Sequence, residues 1–220
     1  MKIPLLVEII GDPATGKTHA SLQFPNPFLI DTTPKMEALP IVMKLHKDWR
    51  ERYVNVRDWK MLERAVDSAL QREFKTIVFD TSVDLQRLAA EEWCRQHGKE
   101  RVYPITLYGQ VRQLVDNVIN KIVSYGRNIV FTSQLRDEYI DGQKTGRKER
   151  DGYKKLPYFC DIELLVKLEK EGDKVVRKWR VLKNRFVDRT SPEWVDGWEG
   201  DLTWERIVEL TKLPREVLVE

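Results

Sequence analysis

The clearest chemical signal in the chain is a short segment near its start, where two glycines, a lysine and a threonine have a fixed spacing. It reads Gly11-Asp12-Pro13-Ala14-Thr15-Gly16-Lys17-Thr18. Gly11 and Gly16 permit the backbone angles and the close approach with which N–H groups surround phosphate oxygens. In such a segment Lys17 reaches the β- and γ-phosphates, and the Thr18 hydroxyl binds Mg²⁺. The segment therefore predicts a phosphate-binding loop for a nucleoside triphosphate.

Aspartates end two of the apolar stretches that follow this loop. Thr76-Ile77-Val78-Phe79-Asp80 is typical of a buried strand, and a carboxylate at its end can hold Mg²⁺ through water beside the loop. Alternatively, Asp80 only caps the next helix, but the neighbouring loop favours the metal role. Asp31 ends a second strand, and it is either a structural acid or a residue that positions water.

Short apolar strands alternate with helices along the chain, and the motif needs a strand before it and a helix after it. The predicted strands are 5–10, 28–31, 53–56, 76–80 and 128–134, and the predicted helices are 17–23, 36–49, 58–70, 84–96, 111–125 and 204–211. Strands at 161–168 and 174–182, joined by Glu171-Gly172-Asp173, are typical of a hairpin. This pattern predicts an α/β fold: a mostly parallel, twisted sheet, helices on both faces and a C-terminal antiparallel β-hairpin. We expect one domain over 1–220, with a core at 2–189 and an extension at 190–220.

Composition and charge exclude several classes of protein. The 220 residues carry a formal net charge of +3, so any nucleic-acid site must come from local clustering rather than from the whole molecule. No stretch is apolar and long enough to span a bilayer, and Glu8 interrupts the apolar run that could suggest a signal peptide. Cys94 and Cys160 lie far apart without metal-ligand spacing, which favours a reducing compartment. We expect a cytoplasmic protein, in a prokaryotic or host cell, with no membrane partner.

The strand at 128–134 and the residues after it resemble a segment of the RecA/RadA recombinases. The stretch reads Asn128-Ile129-Val130-Phe131-Thr132-Ser133-Gln134-Leu135-Arg136. In that family a core strand ends in an Asn-Gln-hydrophobic-Arg-like stretch and opens into the second DNA-binding loop. The resemblance implies that Gln134 senses the γ-phosphate of ATP and couples it to a DNA-binding loop at 136–155.

A second segment, Val176-Arg177-Lys178-Trp179-Arg180-Val181-Leu182-Lys183-Asn184-Arg185, resembles the recombinase hairpin that ends in Lys-Asn-Lys. In recombinase filaments, those basic residues reach across the subunit interface to the neighbour's nucleotide. The resemblance implies a homo-oligomer with ATP at the subunit interface. Lys183 and Arg185 would act there as catalytic residues, beside Lys17, Asp80 and Gln134.

The length and layout are most similar to the phage-type, minimal RecA-core ATPases of the Sak single-strand-annealing group. That likeness implies an ATP- and Mg²⁺-dependent, DNA-stimulated ATPase that binds single-stranded DNA in recombination, repair or phage replication. A single-strand-binding protein is a possible partner on the same ground.

One departure from the recombinase pattern concerns the catalytic base. Recombinases carry a glutamate in an Asp-x-Glu context after the second core strand, whereas this chain reads Asp31-Thr32-Thr33. Thr33 therefore occupies the position of the glutamate, and without a positioned carboxylate the attacking water is poorly activated. Hydrolysis would then be slow, or Asp31 or Glu37 would replace the missing acid.

The proposed DNA loop is rich in basic residues, and Tyr139 and Tyr153 could stack on bases. The candidate DNA-binding residues are Arg136, Lys144, Arg147, Lys148, Arg150, Lys154 and Lys155. A flexible basic loop beside a γ-phosphate sensor could make phosphate-backbone binding depend on ATP. The alternative is a solvated surface loop, because nearby acids dilute the positive charge.

Two other functions remain open. A small-molecule or nucleotide kinase would use the same loop and Mg²⁺, with 136–155 as a lid. A regulatory switch would bind nucleotide with slow turnover and recruit a protein partner, which the threonine at position 33 allows. DNA-stimulated ATPase activity, phosphate transfer to a small acceptor, or tight binding with negligible turnover would separate the three.

Overall fold

The computed structural model describes residues 2–220, and its strands form one nine-stranded sheet. The strands are β1 Leu6–Gly11, β2 Pro27–Asp31, β3 Tyr53–Asn55, β4 Thr76–Asp80, β5 Asn128–Ile140, β6 Gln143–Asp151, β7 Ile162–Glu171, β8 Lys174–Asn184 and β9 Gly197–Glu199. Their order is β3-β2-β4-β5-β1-β7-β8-β9, and β6 pairs with β5. The first six strands of this order are mutually parallel, whereas β5–β6, β7–β8 and β8–β9 are antiparallel. The predicted fold class is confirmed.

The helices are short, apart from three that cover the sheet. They are α1 Lys17–Ser21, α2 Leu39–Leu45, α3 Trp49–Arg52, α4 Trp59–Gln71, α5 Ser82–His97, α6 Tyr108–Ser124, α7 Leu156–Phe159 and α8 Trp204–Thr211. Asp58 caps α4, since its side chain accepts a hydrogen bond from the Met61 N–H at 2.8 Å. None of the described helices is long and apolar enough to cross a membrane.

Each face of the sheet has its own apolar core, because side chains alternate between faces along a strand. One face packs against α4, α5 and α6, and at its centre the rings of Phe79 and Phe131 stack with centroids 5.4 Å apart. The other face packs against α1, α2 and α8, around Trp179 and Trp204. Both faces are therefore covered, as a buried parallel sheet requires.

The segment predicted as a flexible loop at 136–155 is instead mostly a β-hairpin. β5 continues past the core to Ile140 and returns as β6, with Gln134 opposite Asp151. Asp141 and Gly142 form the turn with φ angles of 50° and 79°, the positive values that tight hairpin turns need. Opposite charges face each other across the hairpin, as in the pair Arg136–Glu149 at 2.8 Å. We call 134–151 the basic hairpin after its five arginines and lysines, although five aspartates and glutamates balance their charge.

The helix predicted at 36–49 is also wrong in its bounds. Met36 has a φ of 55°, a left-handed value that no α-helix accommodates, so α2 begins only at Leu39. His46 takes an extended conformation and separates α2 from α3. The stretch from 32 to 38 is therefore non-helical, and it contains Thr33 and Glu37.

Candidate nucleotide-binding site

The phosphate-binding loop follows β1, which lies between β5 and β7 in the sheet. The loop sits at the carboxyl ends of the parallel strands, the position at which such sheets bind ligands. Gly16 has a φ of 93°. Position 11 has no room for a side chain, because a Cβ there would lie 2.6 Å from the carbonyl oxygen of Val166.

The side chain of Lys17 turns back to the first residues of the loop. Its Nζ donates to the carbonyl oxygens of Gly11 at 3.1 Å and Asp12 at 2.8 Å. Burial lowers the pKa of Lys17, while the nearby charges of Asp80 and Asp12 act in the opposite direction. An incoming phosphate would give this ammonium a stronger partner than the two carbonyls.

Thr18 and Asp80 meet beside the loop, as a magnesium site needs. The Thr18 hydroxyl donates to one carboxylate oxygen of Asp80 at 2.7 Å, and the Thr132 hydroxyl donates to the other. Burial raises the pKa of Asp80, and the two hydroxyls and Lys17 only partly offset it. Hydroxyl and carboxylate oxygens are the donors that Mg²⁺ prefers, so these residues fit that ion.

A cleft of about 400 Å³ opens over the loop. Outside the loop it is lined by Thr33, Glu37, Ile41, Asp80, Thr81 and Gln134. Gln134 reaches it because β5 pairs with β1 in a register that sets Gln134 opposite Gly11. A larger cavity, about 750 Å³, lies between α5 and the basic hairpin, but its lining includes neither the phosphate-binding loop nor the candidate metal ligands Thr18 and Asp80, which line the cleft.

Asp31 has a structural role in this cleft. Its side chain is fully buried. One carboxylate oxygen accepts hydrogen bonds from the N–H of Thr33 at 2.8 Å and from its hydroxyl at 2.6 Å. The other accepts a hydrogen bond from the Tyr53 hydroxyl at 2.8 Å. The Ala38 N–H also points to that second oxygen, at 3.4 Å. Asp31 therefore fixes both ends of the stretch from 32 to 38, which carries the exposed Glu37 to the cleft.

Lys183 and Arg185 lie away from the phosphate-binding loop of their own chain. Lys183 is opposite Glu163, which pairs with Glu8 of β1 and so lies near the end of β1 remote from the loop. Lys183 donates to the Pro157 and Cys160 carbonyls. Arg185 forms an ion pair with Asp161 at 2.9 Å. Any contact with a nucleotide would have to be with that of a neighbouring subunit, and this stays a prediction.

Most of the candidate DNA-binding residues are paired with carboxylates. The ion pairs are Arg136 with Glu149 and Asp151, Lys144 with Asp137, Lys148 with Asp12, Arg150 with Glu8 and Lys155 with Asp116. Within residues 2–220, Arg147 and Lys154 form no ion pair. The proposed stacking role of Tyr153 is wrong, because its ring is fully buried and its hydroxyl donates to Asp116 at 2.6 Å. Tyr139 is 61% exposed and remains accessible.

Two contacts with the loop were not expected from the sequence. Lys148 of the basic hairpin forms an ion pair with Asp12, the second residue of the loop. Arg177 of β8 donates its Nε–H to the Thr15 carbonyl at 3.1 Å. Neither could have been found from spacing along the chain, because both depend on how separate strands lie side by side.

The parallel sheet, the central strand that leads into the phosphate-binding loop, and the acid at the end of β4 define a RecA-like P-loop ATPase. A family model described as an AAA domain matches residues 4–194. The chain belongs to this AAA-domain family.

A solved structure supports the same fold. The chain resembles a KaiC-like protein from the hyperthermophilic archaeon Pyrococcus horikoshii, with a TM-score of 0.56 and 12% sequence identity. The match covers 89% of this chain and 84% of the other. No curated protein matches the chain.

Proposed function

We propose that the chain is a Mg²⁺-dependent ATPase in which the bound nucleotide controls single-stranded DNA binding by the basic hairpin. One observation carries this proposal: the single strand β5 joins the two sites. Thr132 holds Asp80, Gln134 lines the nucleotide cleft, and the strand then continues into the hairpin. A movement of Gln134 on loss of the γ-phosphate would therefore be transmitted along β5 to the surface that would bind DNA.

The cleft supplies groups for hydrolysis. Lys17 would bind the β- and γ-phosphates, and Thr18 and Asp80 would hold Mg²⁺, which neutralises charge on these phosphates. Glu37 is the remaining acid among the cleft-lining residues, because Asp80 is committed to the metal. Its carboxylate would take a proton from a water that attacks the γ-phosphorus, while the bond to the bridging oxygen breaks and leaves ADP and phosphate. Gln134 would contact the γ-phosphate.

The exposed ion pairs of the basic hairpin do not exclude DNA. The Lys144–Asp137 side chains are 55% and 38% exposed, and those of Arg136–Glu149 are 50% and 42% exposed. Exposed pairs of this kind contribute about 0–1 kcal/mol, so a DNA phosphate can replace the carboxylate at small cost. Exposed Tyr139 offers a ring for a base.

The wider role follows from the recombinase likeness. We infer a homo-oligomer in which Lys183 and Arg185 of one subunit approach the nucleotide of the next, as trans charges that stabilise the transition state. Recombination, repair or phage replication, with a single-strand-binding protein as partner, is the setting that this likeness suggests.

The deciding experiment is ATP hydrolysis by the wild type and Lys17→Ala, each with and without single-stranded DNA and with Mg²⁺. We expect DNA to stimulate hydrolysis in the wild type and Lys17→Ala to be inactive in both conditions. Phosphate transfer to a small acceptor would favour a kinase instead. Tight nucleotide binding without turnover or nucleotide-dependent DNA binding would favour a switch.

A further inference from the structure

Arg177 reaches the phosphate-binding loop from a part of the sheet that the site does not otherwise use. It lies on β8 opposite Leu168 of β7, while Val166 of β7 is opposite Gly11. Arg177 is therefore beyond the end of β1, on the side where the loop leaves the sheet. Its side chain points to the face that α1 covers, because Trp179 and Val181, in alternation with it, pack in that core.

The contact is made with the residues that should cradle phosphate. Arg177 donates its Nε–H to the Thr15 carbonyl at 3.1 Å. A Cβ on Gly16 would lie only 2.7 Å from its Nη2, so the guanidinium lies directly against that glycine. The Gly16 N–H is one of the groups expected to hold a phosphate oxygen, and Lys17 is the next residue.

The second partner of Arg177 is a carboxylate that can be exchanged. The guanidinium forms an ion pair with Asp201, whose side chain is 67% exposed, against 26% for Arg177. Two hydrogen bonds to Gly200 hold the turn that carries Asp201 against β8. The Gly200 N–H donates to the Arg177 carbonyl at 2.9 Å, and the Trp179 indole N–H donates to the Gly200 carbonyl at 2.9 Å. Asp201 is thus fixed near the loop without being buried.

An arginine prefers a phosphate to an exposed carboxylate. Exposed ion pairs are weak, whereas guanidinium–phosphate contacts are charge-assisted and often bidentate. We propose that Arg177 is a nucleotide ligand supplied by the same chain, and that its guanidinium passes from Asp201 to a phosphate of the nucleotide on binding. Asp201 then competes with that phosphate for the Arg177 guanidinium. This inference rests on nucleotide binding at the loop, as proposed above.

If this is correct, substitutions of Arg177 and of Asp201 change nucleotide affinity in opposite directions. Equilibrium binding of ATP, ADP and AMP, each with Mg²⁺, is measured on the full chain by calorimetry. We expect Arg177→Gln to weaken binding by about tenfold or more, the effect of losing a charged hydrogen bond. Asp201→Asn should tighten binding by roughly twofold to fivefold, because it removes the competitor. The double variant should bind like Arg177→Gln. The shortest of AMP, ADP and ATP whose affinity Arg177→Gln lowers shows whether Arg177 contacts the α-, β- or γ-phosphate.

Controls separate this inference from a structural brace and from the proposed function. Arg180→Gln, an exposed arginine on the opposite face of the same strand, should bind as the wild type does. Arg177→Lys, which keeps the charge, should recover part of the affinity, and thermal unfolding without nucleotide checks that each variant is folded. Unchanged affinity in Arg177→Gln, or equal weakening by Arg177→Gln and Asp201→Asn, overturns the inference. If Lys17→Ala also binds nucleotide normally, the proposed function fails; if only Lys17→Ala loses binding, the inference alone fails.

Discussion

The Thr18 hydroxyl donates a hydrogen bond of 2.7 Å to a carboxylate oxygen of Asp80, although the two residues come from separate elements of the chain. Thr18 belongs to α1 and Asp80 ends β4, two strands away from β1 in the sheet. Because Thr132 of the intervening β5 holds the other oxygen, the carboxylate is aimed at the loop. Three segments therefore converge on the place where a magnesium ion would lie.

The first prediction concerns Asp80→Asn. Loss of the charge should reduce Mg²⁺-dependent ATP hydrolysis by at least about 100-fold, because the amide is a poor ligand for the ion. The nucleotide-free variant should be as stable as the wild type or more stable, since burial already raises the pKa of Asp80 and disfavours its charged form. Hydrolysis assays and urea unfolding check the two parts. A destabilised variant would show that the carboxylate has a structural role.

The second prediction is a pH dependence of magnesium binding. Mg²⁺ needs the ionised carboxylate, and the pKa of Asp80 is raised, mainly by burial. Affinity for Mg²⁺ should therefore fall as the pH decreases, beginning at a higher pH than for an ordinary aspartate. Titration of Mg²⁺-dependent nucleotide binding against pH tests this, with Asp80→Asn as the reference that should lack the step. A profile that is the same in both proteins would assign the effect to another group.

The central part of the site was predictable because it depends on local patterns and on one general property of parallel sheets. The glycine and lysine spacing identified the loop, and strands that end in polar residues had to bring Asp80 and Gln134 to the same edge. The contacts of Arg177 and Lys148 were not predictable in this way. They depend on the register of β8 with β7 and of β6 with β5, which is fixed by packing between distant segments.

The basic hairpin shows a different limit. Asp141-Gly142 is a hairpin signal in the sequence, but the polar flanks lack the apolar alternation that normally accompanies it. The backbone ladder of β5 with β6 pairs these polar strands, and the exposed ion pairs across them contribute little. The sequence places Tyr153 in the same polar segment, yet its ring is buried against α6, where Asp116 accepts a hydrogen bond from its hydroxyl. Its burial is a tertiary contact that no local pattern indicates.

The third prediction concerns Glu37→Gln. If Glu37 takes the proton of the attacking water, the variant should hydrolyse ATP about 100-fold to 10,000-fold more slowly, with nucleotide affinity nearly unchanged. Single-turnover kinetics and equilibrium binding separate the two effects. Glu193→Gln is a suitable control, because Glu193 is exposed and is not among the cleft-lining residues. Partial recovery of hydrolysis in a Thr33→Glu, Glu37→Gln double variant would support the role, and full activity in Glu37→Gln would exclude it.

The fourth prediction concerns the contact between Lys148 and Asp12, which ties the basic hairpin to the loop. Lys148→Ala should make single-stranded DNA affinity less dependent on ATP, because it removes the ion pair that joins the outer part of the hairpin to Asp12 of the loop. Lys144→Ala, whose ion pair with Asp137 lies within the hairpin, is the matched control. It should weaken DNA binding equally with and without nucleotide. Fluorescence anisotropy of labelled DNA distinguishes the two, and identical behaviour of both variants would argue against coupling through Lys148.

The fifth prediction concerns the base of the same hairpin, where Arg150 forms an ion pair with Glu8 at 2.6 Å. Glu8 is fully buried in β1, and burial raises its pKa, while Arg150 and Ser133 partly oppose the shift. Arg150→Ala leaves this acid without its cation and should lower the free energy of unfolding by about 3 kcal/mol at neutral pH.

The pH dependence of that loss tests the cause. A buried carboxyl with a raised pKa binds its proton more tightly in the folded than in the unfolded protein, so its destabilising effect decreases as the pH falls through its folded pKa. The deficit of Arg150→Ala should therefore shrink in acid, as measured by urea unfolding between neutral and acidic pH. Adding Glu8→Gln should recover most of the stability, because the amide removes the buried charge and can still accept from Ser133. A deficit that persists in acid and in the double variant would assign the loss to packing of the Arg150 side chain.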